Sequence, residues 1–74
     1  MPDIFTAYQR EYGCETAWRQ IAYNMADMAD KMGLATVRDA CEIAAKMPDR
    51  ALAIAVIDAA NGDQGRVMRA LGLI

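Results

Sequence analysis

The side chains able to carry chemistry are few, and their spacing limits them further. The chain contains two cysteines, Cys14 and Cys41, three threonines, Thr6, Thr16 and Thr36, and neither histidine nor serine. Without imidazole, any nucleophile among them would depend on an Asp, Glu or Lys as base. The commonest proton relay and a frequent metal ligand are missing as well. Cys14 and Cys41 stand in no CxxC or ligand-like spacing. With no secretion signal, reduced thiols are expected, with Cys41 buried as a small hydrophobe. Carboxylates pair at Asp27/Asp30 and Asp39/Glu42, each i, i+3 on one helical face. Metal centres in helical bundles need four or more ligands, usually with Glu-x-x-His. Here Lys31, Arg38 and Lys46 interleave, which points to a solvated, salt-bridged face. Gly62-x-x-Gly65 follows no strand pattern and reads as a helix–helix turn, not a phosphate loop. No catalytic residue, cofactor or metal is expected, and the chain reads as a non-enzyme.

Binding chemistry is better represented. All five aromatic residues, Phe5, Tyr8, Tyr12, Trp18 and Tyr23, precede residue 24, and Met25, Met28 and Met32 follow on one stripe. Two readings fit. The rings and thioethers fill the core over an alanine-rich C-terminal half, or part of them stays exposed as anchors for another protein. An open stripe would serve a homodimer through heptad packing or a foreign partner through helix-in-groove recognition. The candidate partner-binding residues are Tyr8, Tyr12, Glu15, Trp18, Tyr23, Met25, Asp27 and Met28. Glu11 and Asp30 join Glu15 and Asp27 as an acidic rim that would steer the chain toward a basic partner surface.

Positioning these residues falls to helices, because proline and glycine punctuate the chain and no strand-like alternation occurs. The first helix spans about 3–12, with Asp3 as N-cap, Gly13 as left-handed stop, and Phe5, Tyr8 and Tyr12 on one face. The second spans about 15–32 on the stripe Trp18, Ile21, Ala22, Met25, Met28, Ala29 and Met32, ended by Gly33. Thr36 is the expected cap of the third, bonding to the amide of Asp39, with the stripe Val37, Ala40, Cys41, Ala44 and Met47 and a stop at Pro48. Asp49 caps a fourth, 50–60, whose run Ala51 to Ile57 is apolar all round, as for a helix surrounded by others. Asn61-Gly62 breaks it. Asp63 caps a fifth, from Gln64 to about Leu71, with Val67, Met68, Leu71 and Ile74 inward and Arg66 and Arg69 outward. The fold class is therefore all-α, a compact bundle of about five short helices in one domain. Its aromatic-rich part is 1–33 and its alanine-rich part 36–74.

Size and charge exclude more. A chain of 74 residues supports one small core, and one too small to cover every apolar face just described. A net charge of −2 offers no basic field for a nucleic-acid backbone. The run Ala51 to Ile57 is far shorter than the ~20 residues of a membrane span. Met1-Pro2-Asp3-Ile4-Phe5 has neither the basic nor the apolar region of a signal peptide, so a cytoplasmic location is expected.

Two segments carry family-like features. From Asp49 to Leu71 the chain has an alanine/leucine-rich helix with Ala53, Val56 and Ile57, then the turn Asn61-Gly62-Asp63, then paired apolar positions at Val67, Met68 and Leu71. With Val37 to Met47 as a first helix, residues 36–74 resemble ubiquitin-associated (UBA) three-helix modules. The UBA binding loop reads Met-Gly-Phe/Tyr, whereas this chain has Met47-Pro48-Asp49, so the resemblance implies the shape rather than ubiquitin binding. The segment Gly62 to Leu73 also looks like the opening helix and turn of Fis-type helix-turn-helix domains. That resemblance implies DNA binding through Arg66 and Arg69, and a recognition helix would have to begin at Ile74, where the sequence ends. In size and acidity the chain resembles the small inhibitors and adaptors of phages and mobile elements, anti-CRISPR proteins among them. The leading expectation is a small interaction domain that blocks or bridges a partner sterically. The alternative is a DNA-binding regulator.

Overall fold

Asp3 opens the first helix as an N-cap, its carboxylate accepting a hydrogen bond from the Thr6 amide at 3.0 Å. The computed structural model describes residues 3–13, 16–61 and 64–73. These form α1 (Ile4–Tyr12), α2 (Trp18–Lys31), α3 (Ala35–Ala45), α4 (Arg50–Asn61) and α5 (Gln64–Ala70). The protein is an all-α bundle, and no strand occurs among the described residues.

The helix ends show which local signals decide. Gly13 stops α1 in the left-handed region, as expected. Past α2, Gly33 takes φ +75°, its amide bonds to the Asp30 carbonyl at 3.1 Å, and the Leu34 amide reaches Ala29 at 2.8 Å. Gly72 (φ +71°) repeats this double bond after α5, with Leu73 reaching back to Met68 at 2.8 Å. A side chain with a Cβ would be strained at either site. The Gly33 turn also corrects one expectation. Leu34, packed against the core, holds the N-cap position of α3 with no side-chain cap bond, and Thr36 lies inside the helix. Burial of Leu34 outweighs the capping preference of threonine. At α4 the expected cap forms, with the Leu52 amide on the Asp49 carboxylate at 2.9 Å. Gly62 of the expected break and the cap assigned to Asp63 lie outside the described residues.

Helices α2, α3, α4 and α5 pack in sequence, each on the next, while α1 lies against α2 and α5. The core between them holds Ile4, Phe5, Ile21, Met25, Cys41, Ile57, Val67 and Met68, each at most 1% exposed. No polar or charged side chain is buried among the described residues. Two apolar patterns are only partly buried. On α4, Ala53 and Ile57 are sealed, but Ala51 and Ala55 are exposed and Leu52 is 47% exposed. The helix is an outer one, with α3 and α5 as its main neighbours, and is not surrounded. Met32 follows the last turn of α2 and is 53% exposed, since the helix ends before the stripe does.

A long-range contact ties the start of α1 to the start of α4. Arg50, the first residue of α4, brings Nη2 to 2.7 Å from both carboxylate oxygens of Asp3 and to 3.0 Å from the Thr6 hydroxyl. Burial pushes the Asp3 carboxyl up, but the Thr6 amide and the Arg50 guanidinium outweigh it and hold it below its ordinary value. A depressed carboxylate contributes stability that is complete above its unfolded pKa, about 3.9, and is lost as pH falls through the folded value. The gap in thermal midpoint between the native chain and Asp3→Asn should be constant from neutral pH down to about 5 and shrink below about 4. A gap that widens on acidification would contradict this assignment.

Candidate protein-binding face

Tyr8 and Tyr12 project one turn apart from α1 toward α2, their ring centroids 4.6 Å apart and tilted by 49°. The Tyr12 hydroxyl donates to the Met28 sulfur at 4.0 Å, and the Asn24 amide donates to the Tyr8 hydroxyl at 3.4 Å. Gln20 in turn donates to the Asn24 carbonyl oxygen at 3.0 Å. Tyr8 and Met28 are half-buried, while Tyr12 is 51% exposed and Met32 lies one turn beyond Met28. The result is a strip of phenols and thioethers where α1 meets α2, edged by the uncharged Asn24 and Gln20.

Not every residue expected on this face belongs to it. Met25 is fully buried and drops out, because its side of α2 faces the core. Trp18 is half-buried against Phe5 at 5.8 Å, and the Arg19 guanidinium sits 4.4 Å from its ring centroid. Arg19 also donates to the Ala45 and Met47 carbonyls, so this pair braces the start of α2 against the end of α3. Tyr23 is 43% exposed but lies about 140° around the helix from Met28 at 3.6 residues per turn. It belongs to a second, open groove of about 490 Å³ between α2 and α3, shared with Asp30, Asp39 and Glu42. The expected strip is thus divided in two by the polar crest of α2. Glu11 and Asp27 are exposed, and Glu15 lies outside the described residues.

Of the paired carboxylates, Asp27, Asp30 and Asp39 take part in ion pairs. Lys31 meets Asp27 at 3.0 Å, while Arg38 bridges Asp30 at 2.9 Å and Asp39 at 3.1 Å. Hydrogen bonds that the guanidinium donates to Asp30 and then Asp39 raise the Arg38 pKa further, so it stays charged. Such exposed pairs contribute little stability singly. Among the described residues, no group of three or more His, Cys, Asp or Glu could hold a metal ion, and no helix is long and apolar enough to cross a membrane. Arg66 and Arg69 are exposed on α5, and Arg66 borders a cavity beside the first turn of α3.

Two exposed apolar residues escaped the sequence reading, Ile43 at 50% and Leu52 at 47%. Ile43 falls off the stripe of α3, a signal the periodicity carries. Leu52 is hidden inside a uniformly apolar run. No protein-family model, curated protein or solved structure matches the chain.

Proposed function

We propose that the protein is a non-enzymatic interaction domain, an inhibitor or adaptor that acts by occupying the surface of a partner protein. The observation that supports this reading is the contact of Tyr12 with Met28 where α1 meets α2, with Tyr12 about half exposed and the half-exposed Met32 one turn beyond Met28 along the chain. Amphipathic rings and flexible thioethers are the side chains that anchor protein interfaces. The net charge of −2 and the exposed Glu11 and Asp27 favour a partner with a basic surface.

The test is affinity capture from the native host with the native chain and with Tyr12→Ala/Met28→Ala. The double variant should keep its helical circular-dichroism spectrum while its capture of a specific protein falls at least about tenfold. Leu52→Ala, changed on another surface, should capture as the native chain does. Equal capture by all three would remove this face from the function. Salt-sensitive binding to duplex DNA that disappears in Arg66→Ala/Arg69→Ala would replace the reading with the helix-turn-helix one.

A further inference from the structure

We infer that the Asp3–Arg50–Thr6 contact is a latch on α1, that α1 opens as a unit separate from the other four helices, and that the Tyr8–Tyr12–Met28 face exists only while the latch is closed. The first part stands on the fold alone. The second rests on the reading of that face as a binding surface.

Helix α1 inserts only its first half. Ile4, Phe5 and Ala7 are buried, whereas Arg10, Glu11 and Tyr12 in its last turn are exposed. The remaining helices pack in sequence without it, and Ile21, Met25, Cys41, Ile57, Val67 and Met68 are core residues contributed by α2 to α5. Release of α1 therefore costs its own contacts and leaves a continuous core behind, the condition for opening below the global unfolding energy.

Polar ties locate the latch. Arg50 grips the N-cap carboxylate and the Thr6 hydroxyl, and its guanidinium lies 5.8 Å from the Phe5 ring centroid. One side chain of α4 thus holds the cap, the first turn and the main apolar anchor of α1. At the other end the ties are weaker: Gln9 donates to the Thr16 carbonyl at 3.0 Å, Asn24 to the Tyr8 hydroxyl at 3.4 Å, and the Tyr12 hydroxyl to the Met28 sulfur at 4.0 Å. The face is composite, with Tyr8 and Tyr12 from α1 and Asn24 and Met28 from α2, so opening α1 takes it apart.

Amide hydrogen exchange on the full chain tests the latch, using Arg50→Ala and Asp3→Asn. The asparagine keeps a cap acceptor but removes the charge. In the native chain, amides of Tyr8 to Tyr12 should exchange through an opening of lower free energy and smaller urea dependence than those of Ile21 to Ala29 and of α3, and in both variants they should exchange about tenfold faster. One shared opening free energy and urea dependence across all helices, or no acceleration of the Tyr8 to Tyr12 amides in the variants, overturns the latch. Partner capture on the same variants separates the two parts. Capture that does not fall with the closed fraction that α1 exchange reports removes the dependence of binding on the latch but keeps the latch, whereas unchanged α1 exchange removes the latch whatever capture shows.

Discussion

Ile57→Ala should lower the free energy of unfolding by about 2–5 kcal/mol, the range for an aliphatic side chain removed from a sealed core. Leu52→Ala, on the same helix, should cost less than about 1 kcal/mol, because Leu52 is 47% exposed in the folded state while Ile57 is 0% exposed. At ~0.05–0.15 kcal/mol per residue the whole chain has only about 4–11 kcal/mol to lose, so the first variant stands close to unfolding and the second does not. Helix propensity cannot produce this contrast. Alanine is the better helix former at both positions, and the gain offsets a few tenths of a kcal/mol at most. Urea titration checks the pair, the Ile57→Ala midpoint falling far more than that of Leu52→Ala at unchanged slope. Equal losses would mean that α4 is enclosed on all sides.

That comparison marks where the sequence could be read and where it could not. Element order and most boundaries follow from short-range chemistry: the Asp3 and Asp49 caps, the left-handed Gly13 and Gly33, and the stop at Pro48 act within one turn. The stripes of α2 and α3 predict burial correctly where a helix has one covered side, so Ile21, Ala22, Met25, Val37, Cys41 and Ala44 are all sealed. The pattern fails on α4 because an all-apolar run carries no directional information. Only its neighbours decide that Ala53 and Ile57 go inside and Leu52 stays out. The same limit applies at Thr36, where a residue suited to capping is overruled by the packing of Leu34.

The exposed strip of rings and thioethers was legible in kind but not in extent. Aromatic and methionine residues crowd the first 32 positions, and some of them do remain exposed. Which ones is a question of azimuth. Met25 and Met28 differ by three residues, enough to put one in the core and the other at its edge. Tyr23 and Tyr12 both stand out from the surface, yet the crest of α2 separates them. Periodicity places residues on a helix; the crossing of α1 over α2 decides which side becomes a surface, and that crossing depends on contacts as distant in sequence as Asp3 and Arg50.

Cys41 offers the second large effect, and it bears on whether α1 opens alone. Burial pushes its thiol pKa up to about 12, with the Glu42 charge adding to the rise, and its side chain is 0% exposed. The thiolate is the reactive form, so at pH 8 the reactive fraction is at least about a thousandfold below that of an ordinary cysteine with pKa near 8.5. Alkylation by iodoacetamide, resolved by peptide mass so that Cys41 is read on its own, should therefore be at least about a thousandfold slower in the native chain than in urea. Folded chains should react at Cys41 only through openings that break the α3 core. If α1 is a separate unit, its amides in the native chain exchange through an opening of lower free energy than the one that admits alkylation of Cys41. If the bundle opens only as a whole, the two opening free energies agree, because both then report one transition.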